Sequence, residues 1–101
     1  MDRVKPAACR TMAEVRAGVD ALDAEIVGLI AERFRYMDAA ARIKPDRAAV
    51  RDDWRKADVL AKVAGHAGAA GVPAAAADDL YERLIEASIA YEFERYDALR
   101  G

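Results

Sequence analysis

Apolar side chains recur every three or four residues through the first third of the chain, which is the period of one face of an α-helix. They are Val15, Val19, Leu22, Ile26, Leu29, Ile30, Met37 and Ala40. Thr11 and Glu14 precede this stretch with the spacing of a capping box, in which a hydroxyl and a carboxylate satisfy backbone donors at a helix start. No proline follows until Pro45. The pattern predicts one long helix from Met12 to about Lys44, followed by a loop over 44–50.

Two further helices are predicted beyond that loop. The second runs from about Asp52 to Ala64, and its expected apolar contacts are Trp54, Leu60 and Val63. Three glycines are expected to loosen the chain after it, namely Gly65, Gly68 and Gly71. The third helix begins at Pro73 or in the alanine run 74–77 and reaches Leu99. Since no strand-like alternation is visible, we expect an all-α, three-helix chain with a tail over 1–10 and a helical domain over 11–101.

The length of the first helix points to a dimer. At 1.5 Å per residue a helix over 12–44 is roughly 50 Å long, whereas a globule of this size has a radius of gyration of about 13 Å. Its apolar stripe would extend beyond the rest of one chain and be exposed to water. We therefore expect an intertwined homodimer, in which each long helix packs on the other chain.

Composition and charge narrow the classes of function. The 101 residues are 54% hydrophobic and 34% charged, which is typical of a folded domain. A net charge of -2 gives no broad basic field, so nucleic acid is not expected as a partner. No apolar run approaches the length of a membrane span, and the lone Cys9 favours a reducing, cytoplasmic setting. No metal-ligand spacing or phosphate-binding loop is present, so neither a metal nor a cofactor is expected.

Charged and polar residues interrupt the apolar faces of the predicted helices. On a wheel of 100° per residue, Arg33 and Lys44 fall on the apolar face of the first helix. Ser88 and Glu92 stand one turn apart on the apolar face of the third. A buried cation requires a partner, so these positions either form ion pairs or line a pocket for an anion. A buried Glu92 should be protonated or bonded to a cation, and Ser88 either faces that pocket or bonds back to the preceding turn.

Arg16 lies at the edge of the same stripe, 17 residues before Arg33. That separation is about 25 Å along a helix, which is too far for both guanidinium groups to hold one small metabolite. If both arginines serve one site, Arg16 must therefore come from the other chain.

These residues and their spacing resemble the small all-helical chorismate mutases, the AroQ class, and their relatives the isochorismate pyruvate lyases. The resemblance runs from Val15 to Arg95. It is carried by Val15-Arg16 with Asp20, Leu22 and Asp23, by Ala31-Glu32-Arg33, by Ala41-Arg42-Ile43-Lys44, by Val50-Arg51-Asp52 with Arg55, and by Ser88 with Glu92. It implies the chorismate mutase II fold, an intertwined homodimer with two identical sites, chorismate as the small-molecule partner and no cofactor.

The resemblance also implies roles for the catalytic residues. Arg33 and Arg16 from the other chain would bind the substrate carboxylates. Lys44 would bond a carboxylate and the ether oxygen. Glu92 stands where many members have Gln bonding that oxygen. Because a carboxyl group donates only when protonated, activity is expected to fall toward alkaline pH.

Four further positions are implied to bind substrate. Arg55 would assist with a carboxylate, and Asp52 and Ser88 match positions that contact the ring-hydroxyl side and a carboxylate. Lys56 stands where many mutases have a Glu that contacts the ring hydroxyl, which is a departure from the pattern.

Several functions remain open at this point. The favoured reaction is the rearrangement of chorismate to prephenate, because Val50-Arg51-Asp52 and Ser88 look mutase-like. The stretch from Arg35-Tyr36 to Lys44 and the Ile89-Ala90 pair look lyase-like, so isochorismate pyruvate lyase is the alternative. A mutase of 4-amino-4-deoxychorismate is a further alternative, and a non-enzymatic helical dimer is the alternative from another class.

Overall fold

Residues 3–101 are described by a computed structural model, and within them every regular element is helical. The three α-helices are α1, Met12–Ile43, α2, Asp53–Ala70, and α3, Ala74–Leu99. Two short 3₁₀ helices, Pro6–Ala8 and Arg47–Val50, lie before α1 and between α1 and α2. The predicted all-α, three-helix chain is confirmed.

The start of α1 is closed by the predicted capping box. The Glu14 backbone N–H donates to Thr11 Oγ1 at 3.1 Å, and the Thr11 N–H donates to Glu14 Oε1 at 3.2 Å. The Arg10 N–H adds a bond of 2.9 Å to the same carboxylate oxygen. Backbone donors that the first turn leaves free are thereby satisfied, which fixes the beginning of a helix of 32 residues.

The second helix is longer than predicted, since α2 continues through Gly65 and Gly68 to Ala70. An interior glycine weakens a helix by only about 1 kcal/mol, and the neighbouring alanines favour helix. The helix ends instead at Gly71, whose φ of 79° lies in the left-handed region. The Val72 N–H donates back to the Ala67 carbonyl at 2.9 Å, the bond that closes a glycine-terminated helix.

The predicted contacts of α2 need one correction. Leu60 and Val63 are half-buried, but Trp54 is 75% exposed. Trp54 lies in the first turn of α2. The third helix starts at Ala74 with Pro73 as its N-cap residue and reaches Leu99, as predicted.

The chain divides into two compact units, one ending at Arg33 and the other covering 34–101. In the first unit, the 3₁₀ helix Pro6–Ala8 and the first turns of α1 line an apolar groove of about 170 Å³. The apolar positions of α1 in this unit are exposed by between 38% and 65%; they are Val15, Val19, Leu22, Ile26 and Leu29.

The second unit has its own small core. Ala41 on α1, Val50 in the 3₁₀ segment and Tyr96 on α3 are buried together, and Ile89 and Phe93 pack against them. This core packs three parts of the chain together: the end of α1, the second half of α3, and the connecting segment, which is residues 44–52 between α1 and α2. None of the helices in 3–101 combines the length and the apolar character needed to span a membrane.

Candidate active site

Lys44 and Glu92 form an ion pair in the second unit. Lys44 Nζ donates to Glu92 Oε2 at 2.6 Å, although the two residues are 48 positions apart. The Glu92 side chain is 5% exposed and the Lys44 side chain 28% exposed. The carboxylate is therefore buried and compensated, whereas its cation still reaches solvent. This pair realises one of the two predicted states of Glu92, the one bonded to a cation.

Lys44 lies where α1 ends. Its backbone N–H still donates to the Ala40 carbonyl at 2.9 Å, but the residue itself is outside the helix. Its ammonium also approaches the Val50 carbonyl, at 3.5 Å. Asp46 caps the intervening 3₁₀ segment by accepting from the Ala49 N–H at 3.1 Å. The ammonium thus lies between the connecting segment and α3.

Ser88 lies one turn before Glu92 on the same buried face of α3 and is 3% exposed. Its hydroxyl donates to the Leu84 carbonyl at 2.7 Å. This is the back-bond to the preceding turn, one of the two alternatives predicted for Ser88.

Asp52 and Arg55 are placed at the start of α2, and both are exposed. Asp52 is the N-cap residue, and its carboxylate accepts from the Arg55 N–H at 3.0 Å. The Arg55 guanidinium turns to its own helix and pairs with Asp58 at 2.6 Å. Lys62 also pairs with Asp58, and the hydrogen bonds from Lys62 and then Arg55 lower the pKa of that carboxyl.

Lys56 belongs to a charge cluster between α2 and α3. Its ammonium donates to Glu82 at 2.5 Å and to Glu86 at 2.8 Å, and these bonds raise the pKa of Lys56. Arg51 donates to the other oxygen of Glu86 at 2.5 Å. The bonds from Arg51 and Lys56 lower the pKa of Glu86 to about 2. The ammonium of Lys56 is therefore already engaged by two carboxylates.

The remaining two predicted residues lie in the first unit. Arg33 is half-buried near the middle of α1, and Arg16 is exposed near its start. Of the eight predicted site residues, the second unit thus contains six, and its hydrogen bonds directly join two of them, Lys44 and Glu92.

Polar contacts that were not predicted from the sequence hold this site in place. Tyr91 Oη donates to Asp38 at 2.7 Å and Arg95 Nε donates to the same oxygen at 3.1 Å, which ties α3 to α1. The bond to Asp38 raises the pKa of Tyr91. Arg100 donates to two carbonyls at the end of α1. All these partners are more than 50 positions apart, so no local spacing could have revealed them.

The chemistry of the site is that of fixed charge. Within residues 3–101 no group of three or more His, Cys, Asp or Glu side chains is placed to hold a metal ion. A half-buried ammonium beside a buried carboxyl can bind an oxygen of an anionic ligand and donate a hydrogen bond to it.

Fold and site together define a small helical protein whose candidate site has charged side chains at helix ends and on a buried helix face. Residues 15–93 match the family described as chorismate mutase type II, and the chain belongs to that family. Among curated proteins it is similar to an isochorismate pyruvate lyase of Pseudomonas aeruginosa, with 30% identity over 96 residues that cover 95% of each chain. These findings support an enzyme of the AroQ class.

Proposed function

We propose that the protein is a chorismate mutase, which converts chorismate to prephenate in one intramolecular [3,3] rearrangement. The observation that carries the proposal is the Lys44–Glu92 pair, a partly exposed ammonium held 2.6 Å from a buried carboxyl. In this reaction the ether C–O bond breaks while a C–C bond forms between the enolpyruvyl methylene and the ring. No atom leaves and no electron is transferred, so positioned charges suffice for catalysis.

Lys44 stabilises the charge that develops in the transition state. Negative charge grows on the ether oxygen as its C–O bond lengthens, and a fixed ammonium is attracted to it more strongly than in the ground state. The short contact with Glu92 keeps the ammonium in one place, so little reorganisation is needed when substrate binds. A donor of this kind contributes on the order of 100-fold to 1,000-fold in rate.

Glu92 compensates the charge of Lys44 and holds its ammonium in place. Its carboxylate also repels a dicarboxylate substrate, so the substrate competes with Glu92 for the Lys44 ammonium. An uncharged donor of the same shape at position 92 would remove this repulsion and could donate to the ether oxygen.

The remaining proposed residues bind and orient the substrate. Arg33 and Arg16 from a second copy hold the two carboxylates, which keeps the enolpyruvyl arm folded over the ring. Arg55 assists with a carboxylate after leaving Asp58. Ser88 and Asp52 serve the carboxylate and ring-hydroxyl sides. Lys56 binds substrate in this proposal only if its ammonium leaves Glu82 and Glu86, its present partners.

A second copy of the chain is part of the proposal. The exposed apolar positions of α1 in the first unit form a stripe along a helix about 48 Å long, since 32 residues rise 1.5 Å each. Burial of such a stripe by another copy removes a large apolar patch from water. The same arrangement supplies Arg16 to the neighbouring site.

Isochorismate pyruvate lyase is the second candidate, and the similarity to the Pseudomonas aeruginosa protein favours it. That reaction also breaks the enolpyruvyl ether bond, and it transfers a ring hydrogen to the methylene carbon to give salicylate and pyruvate. It needs the same carboxylate clamps and the same stabilisation of the ether oxygen. The two reactions therefore differ in substrate rather than in the charges required.

The test is to supply chorismate and isochorismate separately, at pH 5 and at pH 8, and to identify the products by chromatography. We expect prephenate from chorismate as the faster reaction. Lys44→Met should reduce turnover by at least about 100-fold. Lys5→Met removes the same charge from an exposed lysine of the N-terminal segment and should leave the rate unchanged.

Two other outcomes would contradict the proposal. Salicylate and pyruvate as the faster products would establish the lyase instead. A folded protein that converts neither compound would leave the aminated chorismate analogue or a non-enzymatic helical dimer as the remaining functions.

A further inference from the structure

The end of α1 is held by a side chain from the other end of the chain. The last carbonyls of a helix have no partner within the helix. Arg100 Nη1 donates to the Ala41 carbonyl at 2.9 Å, and Arg100 Nη2 donates to the Lys44 carbonyl at 3.0 Å. One guanidinium group therefore joins a carbonyl of the last turn of α1 to that of Lys44. A cation at this end of a helix is also favoured by the helix dipole.

Aromatic stacking fixes the guanidinium in that position. The Arg100 guanidinium carbon lies 3.6 Å from the centre of the Tyr96 ring, one turn earlier. Tyr96 is buried in the core of the second unit, and its hydroxyl reaches the Pro45 carbonyl at 3.5 Å. The guanidinium of Arg100 therefore stacks on a ring that the core of the second unit holds in place.

A second ion pair holds the same connecting segment. Arg47 forms a two-point contact with Asp97, at 2.9 Å and 3.3 Å, and its guanidinium carbon lies 4.5 Å from the centre of the Phe93 ring. The bond with Arg47 lowers the pKa of Asp97. The last two turns of α3 therefore contact Pro45 and Arg47, and Arg100, directly after the helix, contacts Lys44.

We propose that Arg100 is a positioning residue for Lys44, an inference that rests on the proposed function. Arg100, the residue that follows α3, fixes the carbonyl of Lys44, and Glu92 on α3 receives its ammonium. The backbone carbonyl and the ammonium of Lys44 are therefore both held by residues of α3 or directly after it. Loss of Arg100 frees the carbonyl end, so the flexible side chain no longer presents its ammonium at one point. Displacements near 1 Å lower rates by up to about 100-fold.

The first experiment compares Arg100→Gln with Arg83→Gln, measuring kcat, KM and the thermal midpoint. Arg83 is a matched control because it is an exposed arginine of α3 whose ion pair with Asp79, at 3.8 Å, is local. We expect Arg100→Gln to lower kcat by about tenfold to 100-fold with a smaller change in KM. Arg83→Gln should stay within about twofold. Arg100→Lys should recover part of the loss, since lysine keeps the charge but not the two-point geometry.

A double-variant comparison separates positioning from general stability. If Arg100 acts through Lys44, then adding Arg100→Gln to Lys44→Met should change the residual rate by less than about twofold. Equal effects of Arg100→Gln in both backgrounds would overturn the proposal. So would a single variant with parental kcat, or a loss of rate that only follows the fraction unfolded.

A readout without substrate keeps this inference separate from the proposed function. The chain has four lysines, Lys5, Lys44, Lys56 and Lys62, so the ammonium signals in a ¹⁵N NMR spectrum can be assigned with Lys44→Met. We expect Arg100→Gln to broaden or shift the Lys44 signal while that of Lys56, held by Glu82 and Glu86, stays unchanged. An unchanged Lys44 signal would refute the positioning role even if neither substrate is converted.

Discussion

Glu92 is a carboxyl group at a position where the proposed reaction needs a hydrogen-bond donor. In the structure it is an acceptor, because Lys44 Nζ donates to it. The substrate must therefore replace Glu92 as the partner of Lys44. The charge of this single side chain opposes that exchange, because it repels an anionic substrate.

Glu92→Gln should raise the turnover of chorismate at neutral pH. The amide donates a hydrogen bond, which the carboxylate cannot do, and it removes the repulsion between that carboxylate and the carboxylates of the substrate. Steady-state rates with chorismate test this, and Glu94→Gln on the exposed side of α3 is the control. A Glu92→Gln rate equal to or below that of the parent would refute the role of Glu92.

The sequence predicted that Glu92 is buried and needs a partner, but it did not identify Lys44 as that partner. Helical periodicity placed Glu92 and Ser88 on a buried face, and burial of a carboxyl requires a cation or a proton. Which cation pairs with Glu92 depends on how the end of α1 packs against α3, because Lys44 and Glu92 are 48 positions apart in the chain. The fork of Arg100 at the Lys44 carbonyl depends on the same packing. No periodicity within one helix contains that information.

At the scale of elements, a charge cluster joins α2 to α3. Glu86 accepts from Arg51, just before α2, and from Lys56 in its first turn. The cluster thus holds the end of α2 that carries Asp52 and Arg55. The contribution of this cluster to the stability of the fold should depend on pH, because the pKa of Glu86 falls from its usual 4.5 to about 2 in the folded chain.

Glu86→Gln should lower the thermal midpoint at neutral pH. A carboxyl whose pKa is lowered by folding stabilises the fold above its unfolded pKa and loses that effect as the pH falls through the folded value. The difference between parent and variant should therefore be full above about pH 4.5 and vanish near pH 2. Thermal unfolding followed by circular dichroism at several pH values measures it, with Glu94→Gln as control. A constant difference across this range would show that lost packing, not charge, is responsible.

The glycines of α2 give a test of where that helix ends. Gly65 and Gly68 are helical, and an added Cβ at either meets open space in the chain. Gly65→Ala and Gly68→Ala should each raise the free energy of unfolding by about 0.5–1 kcal/mol. Gly71→Ala should lower it by about 1 kcal/mol, because its φ of 79° strains any side chain. Urea titrations would measure all three, and a destabilising Gly65→Ala would contradict a helix continuing to Ala70.

Element boundaries were predictable where capping and proline set them. The Thr11–Glu14 box placed the start of α1, Asp52 the start of α2, and Pro73 the start of α3. The end of α2 could not be predicted, because three glycines occur within seven residues and only the backbone conformation distinguishes a tolerated glycine from a terminating one. Of these three glycines, Gly71 alone has the positive φ that ends the helix.

At the scale of the whole molecule, the proposed dimer makes Arg16 and Arg33 of different chains serve one site. Arg16→Ala or Arg33→Ala alone should then inactivate both sites of a homodimer without unfolding it, since removal of an exposed or half-buried cation leaves the helix intact. Sedimentation equilibrium should give twice the mass of one chain for the parent and for both variants. A parent that is monomeric at the enzyme concentration used in the assay would contradict the dimer.

A hybrid of the two variants tests the sharing directly. Co-expression of an Arg16→Ala chain and an Arg33→Ala chain with different affinity tags allows the mixed dimer to be purified. If each site takes Arg33 from one chain and Arg16 from the other, one site of the hybrid has both arginines and the other has neither. The hybrid should then recover about half of the parental activity, as two-fold symmetry requires. If both arginines act within one chain, each site lacks one of them, and the hybrid will be as inactive as either variant alone.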